Sequence, residues 1–191
     1  VPTGLNEDFF NERYFYDTDL AKKYLNKYLE KNKKKSIELN VVTDAQYLDV
    51  IEFIQSELKK LSINMKIEIT PPSILRQGKA KGKYDFFRAS WIADYPNPEN
   101  YFDLFSSKNK TPNGPNYTYF VDEKFYSIYN ILNEEESHIE KNFEILENII
   151  YNFSPIIPLY YDMSIRLLNN NIVGMSNNAI NMLNLEEVNK L

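Results

Sequence analysis

Residues 88–98 read Arg88-Ala89-Ser90-Trp91-Ile92-Ala93-Asp94-Tyr95-Pro96-Asn97-Pro98, which sets one carboxylate, Asp94, between two large aromatic side chains, Trp91 and Tyr95. A carboxylate shielded from water by aromatic surface is a good receptor for an ammonium group, because a charge-assisted hydrogen bond strengthens as water is excluded. Aromatic faces themselves attract cations. The same residues also have a purely structural reading, in which Asp94 caps an Asp-Tyr-Pro turn and Trp91 fills a core. The residues alone leave both readings open.

Other chemistries are poorly served. The 191 residues contain no Cys, which excludes disulfides, thiol nucleophiles and Cys-ligated metals. One His, His138, stands among Glu134, Glu135, Glu136 and Glu140, a pattern of a solvated acidic helix start and not of converging metal ligands. Five scattered glycines form no phosphate cradle. No metal and no cofactor is therefore expected. Paired carboxylates for hydrolysis need only meet in space, and nothing marks out such a pair. With 22 basic and 27 acidic side chains the formal charge is −5, which argues against a nucleic-acid partner. No uncharged apolar run is long enough to cross a membrane. Val1 opens the chain without a basic and apolar leader, so a mature product or an excised piece is expected. Aromatic content is high, at 15%, with 15 Tyr and 12 Phe, and Tyr suits contact surfaces.

The elements that must position Asp94 follow from periodicity. Asp17 is a candidate N-cap for a helix with Leu20, Tyr24, Leu25, Tyr28 and Leu29 on one side, core and surface in character. The lysines at 31 and 33–35 read as a solvated helix end. Ile37, Leu39 and Val41 alternate with Glu38 and Asn40, a half-buried strand over 36–42. Thr43 with Gln46 predicts a capping box, opening a helix through Leu48, Ile51, Ile54, Leu58 and Leu61. A second strand is predicted over 64–69. Strand, helix and strand with short links imply a right-handed crossover and a parallel pair. Pro71-Pro72 stops that strand, and a short helix is predicted through Leu75, with Gly78 and Gly82 flanking a Lys-rich turn. The apolar run 84–93 ends at Asp94, and ligands of open α/β sheets bind beyond such carboxyl ends of strands. Asn97, Pro98 and Glu99 predict a helix start running through Phe105. A loop over 108–119 precedes a helix from about Asp122, burying Phe125, Ile128 and Leu132. The next is capped by Ser137 with Glu140 and buries Ile139, Phe143, Leu146, Ile150 and Phe153. A short strand over 156–161, interrupted by Pro158, and another over 165–175 are predicted. The fold class is α/β, as one domain over 1–191.

Taken in order, these motifs resemble the C-terminal part of the family 5 extracellular solute-binding proteins, the peptide- and nickel-binding receptors of bacterial ABC importers. The motifs are Val1-Pro2-Thr3-Gly4, Tyr16-Asp17 with Leu20-Ala21, Ile54-Gln55-Ser56-Glu57-Leu58, Trp91-x-Ala93-Asp94-Tyr95-x-x-Pro98, and Pro155-Ile156-Ile157-Pro158-Leu159-Tyr160-Tyr161. The resemblance implies a type II periplasmic-binding-protein-like C-terminal lobe, a mixed sheet flanked by helices, with the first lobe absent and residues 172–191 a tail returning to it. It implies a non-catalytic, extracytoplasmic component, periplasmic or a surface lipoprotein, serving a membrane permease and taking an oligopeptide or dipeptide. In peptide-binding members the Asp of the Trp-x-x-Asp motif pairs with the ligand's α-amino group, which places that role on Asp94. An Arg three residues before the Trp lines the cleft in some members and corresponds to Arg88. Ser90 to Ile92 would offer backbone groups to an extended ligand. Trp91 and Tyr95 complete the expected ligand-binding set. Asn97 stands where many relatives carry Asp, and the loop 113–117 is a further cleft candidate. Lobes of this type also serve as ligand sensors in regulatory proteins, an alternative the sequence leaves standing.

Overall fold

The protein is described from a computed structural model covering residues 15–132, 139–162, 165–178 and 181–191. Its chain forms two compact units, one within Glu12–Ser90 and one within Trp91–Leu191.

The first unit opens with helix α1 (Thr18–Lys31), where Asp17 Oδ1 accepts the backbone N–H groups of Asp19 at 3.0 Å and Leu20 at 2.8 Å. This satisfies two of the helix's orphan donors. None of its residues is fully buried, and Tyr24 and Tyr28 face outward, so the helix contributes surface and not core. Strand β1 (Ile37–Thr43), helix α2 (Leu48–Lys60) and strand β2 (Ile63–Ile69) follow. The strands pair in parallel, from Ile37 opposite Ile63 to Thr43 opposite Ile69. Val41, Ile51 and Met65 form the aliphatic core, flanked by Leu39, Ile54, Leu58, Ile67 and Phe86. Gln55 Nε2 donates to the Met65 carbonyl at 2.7 Å and ties helix to sheet.

Several local expectations shift. Thr43 and Gln46 do not form a capping box. Thr43 remains in β1, and Asp44 caps instead, its Oδ1 accepting from Gln46 N at 3.0 Å to start a 3-10 turn over Ala45–Tyr47. Helix α3 (Pro72–Ala80) runs beyond Leu75 and includes Gly78. That glycine makes room for a ring, since a Cβ there would lie 2.1 Å from Tyr84 Cε2. The apolar run after Tyr84 yields only strand β3 (Phe86–Phe87), beside β1. The sheet order is β2-β1-β3 and all pairings are parallel, where a mixed sheet was anticipated, because both connections within it cross over through helices.

The second unit contains helix α4 (Glu99–Phe102), 3-10 turns over Asp103–Phe105 and Ser107–Asn109, helix α5 (Glu123–Asn130) and helix α6 (Ile139–Phe153). Asn97 Oδ1 accepts Glu99 N at 2.8 Å, as its predicted place at a helix start requires, and Asp122 Oδ1 accepts Phe125 N at 2.7 Å, capping the helix expected to begin near it. The core is aromatic: Phe102, Phe105, Phe120, Phe125 and Phe143 gather with Leu132, Leu146 and Ile150. Phe102 stacks on Phe143 at 5.5 Å, and Phe120 meets Phe125 edge-on at 5.4 Å. Phe153, expected in the core, is mostly exposed, although its ring packs edge-on against Phe120. The predicted capping box at Ser137, together with His138, lies outside the described residues.

Residues 156–161 form no strand. Pro155 and Pro158 lack the N–H groups a ladder requires, and Ile157, Tyr160 and Tyr161 point to solvent. Of the strand expected over 165–175, the described residues retain only β4 (Ile172–Val173), paired antiparallel with β5 (Asn189–Lys190) as a separate ribbon.

Candidate functional site

Trp91, Ile92, Asp94 and Tyr95 lie on an irregular turn of the second unit, just before α4. The turn has no ladder of its own and is held by a side chain, that of Asn100. Its Oδ1 accepts the Trp91 indole Nε1–H at 2.9 Å and the Asp94 backbone N–H at 3.1 Å. Asn100 is only 2% exposed, although it sits in the first turn of α4. Ala93 is buried on the inner side of the turn, while Ile92, 77% exposed, and Asp94 face outward. Among the described residues, the Asp94 carboxylate takes no hydrogen bond and no ion pair. Asp94 therefore does not cap its own turn; the capping role falls to Asn97 and Asn100. Trp91 is half-buried and satisfied at its one donor.

Tyr95 is held at its far end. Its hydroxyl lies 3.5 Å from Asp103 Oδ2. Burial pushes the phenol upward from its ordinary value, a hydrogen bond with Asn100 opposes this, and the Asp103 and Glu99 charges add to the rise. Asp103 is a local hub. It also accepts a short hydrogen bond from the Tyr129 hydroxyl, and Asn109 Nδ2 donates to its backbone carbonyl at 3.1 Å. Burial raises Tyr129 strongly, with the Asp103 carboxylate reinforcing the shift, so both phenols stay neutral donors at neutral pH.

The neighbouring loop is organised in the same way. Asn116 is 0% exposed, and its Nδ2 donates to the carbonyls of Ser106 at 3.1 Å and Phe120 at 3.0 Å. Its Oδ1 accepts the Thr118 hydroxyl at 3.0 Å. Within the expected cleft loop 113–117, the amide of Asn116 is thus consumed by the fold.

Arg88 and Ser90 belong to the first unit. Arg88 extends β3, its N–H donating to the Val42 carbonyl at 2.9 Å, and its guanidinium carbon lies 3.0 Å from the centre of the Tyr47 ring. Lys79 is held below its ordinary value by burial first, then by the charges of Arg88 and Arg76, with Asp44 opposing. Ser90 is exposed. A shallow groove of about 420 Å³ in this unit is lined by Tyr16, Phe53, Ile54, Glu57, Leu58 and Lys60, and it includes none of the predicted site residues.

The sequence reading missed Asn100, Asp103 and Tyr129. The one signal for Asn100 was its type, a poor helix former placed between Glu99 and two aromatics.

Parallel strands joined by helices, followed by this helical unit, define a type II periplasmic-binding-protein-like α/β fold. Among solved structures, the peptide-bound DppA of Helicobacter pylori superposes with a TM-score of 0.78 at 21% identity, over 100% of this chain and 38% of that one. The substrate-binding domain of an oligopeptide ABC transporter from Bacillus anthracis gives 0.75 at 18% identity, over 97% and 36%. The family described as bacterial extracellular solute-binding proteins, family 5 Middle, matches residues 1–113, and the chain belongs to that family. Curated relatives include the dipeptide-binding protein DppE of Bacillus subtilis, 23% identical over 163 residues, which are 83% of this chain and 29% of that protein. The oligopeptide-binding protein OppA of the same organism is 26% identical over 186 residues, 91% of this chain and 33% of that protein. The chain spans about a third of the length of the curated relatives it matches.

Proposed function

We propose that this chain is the C-terminal lobe of a two-lobe peptide receptor, contributing half of a ligand cleft and no catalysis. One observation carries the reading: Asp94 presents an exposed carboxylate, without a partner among the described residues, on a turn whose backbone is held elsewhere. An acid spared from structural work and flanked by Trp91 and Tyr95 suits the α-amino group of a peptide. The names of the relatives, dipeptide- and oligopeptide-binding proteins, agree with that ligand class. The backbone around Ile92 is a further proposed ligand contact, while Arg88 and Ser90, which belong to the other unit, enter the proposal from the family resemblance alone. The exposed apolar side chains Ile156, Ile157, Leu159, Tyr160, Ile165 and Leu167 support an absent first lobe, since a strip of this kind marks a contact surface. In this reading the receptor works outside the cytoplasm, as a periplasmic protein or surface lipoprotein, and hands its peptide to the permease of an ABC importer. A lone half-cleft encloses too little of a ligand for tight binding.

The test completes the cleft with a first lobe and measures short peptides by calorimetry. Free peptides bind, and N-acetylation weakens them by about tenfold or more, the worth of one hydrogen bond to a charged group. Equal affinity for free and acetylated peptides removes Asp94 from the role of anchor.

A further inference from the structure

We propose that Asn100 is the positioning residue of the site: through one buried carbonyl oxygen it fixes both Trp91 and Asp94, and so sets where the acid points. The inference rests on the peptide-receptor reading for the ligand, while its geometry stands separately.

The indole Nε1–H and the backbone N–H of Asp94 are donors with no acceptor capacity. Both converge on the same atom of Asn100, at 2.9 Å and 3.1 Å, and so that atom is the carbonyl oxygen. Its two lone pairs are then fully used. One side chain therefore holds two members of the turn, Trp91 and Asp94, and the acid's own side chain has no partner among the described residues. Asn100 is itself rigid. It is nearly inaccessible, and its backbone N–H donates to the Asn97 carbonyl at 3.2 Å, which fixes it to the helix start. No sheet ladder supports 91–95, and so removing this oxygen leaves two N–H groups without a partner and the turn without its pin. The mechanism is pre-organisation: a carboxylate already held in position spends none of the ligand's binding energy on ordering the loop.

Trp91 is the only tryptophan of the chain, so a single indole N–H signal in a 15N-resolved proton NMR spectrum reports directly on this contact. The experiment compares the 191-residue chain with its Asn100→Ala, Asn100→Asp and Trp91→Phe variants. In Asn100→Ala the indole signal moves upfield and exchanges faster with water, and the Asp94 amide signal moves with it. Asn100→Asp, which keeps an acceptor oxygen at the same place, restores both. Trp91→Phe removes one donor while leaving Asn100 intact, and the Asp94 amide then keeps its position; this variant stands in if Asn100→Ala fails to fold. Titration with free and N-acetylated tetra-alanine at millimolar concentration forms the second arm. Wild type and Asn100→Asp respond to the free peptide over the acetylated one, and Asn100→Ala loses the preference. An unmoved indole or Asp94 signal in Asn100→Ala overturns the proposal, as does an undiminished preference. A wild-type chain indifferent to acetylation strikes instead at the reading of Asp94 as anchor, and the indole and amide signals then decide the role of Asn100 without it.

Discussion

The two units solve the same problem, holding loops still, with different materials. In the first, a parallel ladder of backbone hydrogen bonds runs from Ile37–Ile63 to Thr43–Ile69 over a small aliphatic core. In the second, backbone order is sparse, and three buried or half-buried asparagines, Asn100, Asn109 and Asn116, staple irregular segments around a nest of phenylalanine rings. A ladder distributes stability over many equivalent bonds, each replaceable. A staple concentrates it, because one amide serves several groups at once. The difference teaches where single substitutions hurt, and it places the candidate site on the concentrated side.

The largest effect expected on this contrast comes from Phe125→Ala. Phe125 is 1% exposed and its ring meets Phe102, Phe105, Phe120 and Tyr129. Its truncation costs about 3–5 kcal/mol in urea unfolding, the range for buried aromatics; a loss below about 1 kcal/mol would show that the aromatic nest relaxes freely. Next comes Asn116→Ala, which strands the Ser106 and Phe120 carbonyls and the Thr118 hydroxyl. Urea titration should return a loss of about 1–3 kcal/mol, the cost of buried polar groups left unsatisfied. A neutral result would mean that water replaces the amide and that the staple idea is wrong for this loop. The smallest effect belongs to the ladder's surface. Glu57 on α2 is held below its ordinary value by the Lys60 hydrogen bond first, with smaller help from Tyr16. A lowered folded value means that the contribution is present above the ordinary carboxylate range and fades as pH falls through the folded value. The ion pair lies at the surface, with Lys60 largely open to solvent and Glu57 partly so, and solvent screens it; Glu57→Gln therefore leaves the melting midpoint at pH 7 essentially where it was, and only a slight flattening of the acid limb distinguishes it. A large drop at pH 7 would reverse the ranking of the two units.

The same contrast explains what was legible in the sequence. The β1-α2-β2 unit could be read because its apolar residues recur at two and then at three and four, and because backbone ladders follow from such periods. Asp17 and Asn97 were legible as caps, and Asp122 as a helix start, since capping is local chemistry. The Thr43–Gln46 box failed by one residue, because the strand kept Thr43 and passed the capping to Asp44. The segment 156–161 looked like a strand because a short apolar run carries no information on whether a partner strand exists. In the site, Asp94, Trp91 and Tyr95 stood out as residue types in one short motif. Asn100 did not, since its role depends on a buried oxygen reaching back nine residues to an indole and six to a backbone amide, a relation with no period.

Gly78 carries a last consequence. On α3 it leaves no room for even a methyl group, because the Tyr84 ring occupies that space. The two positions are therefore coupled: an alanine at 78 meets the far end of the Tyr84 side chain, so the ring must swing aside or give way to a smaller residue.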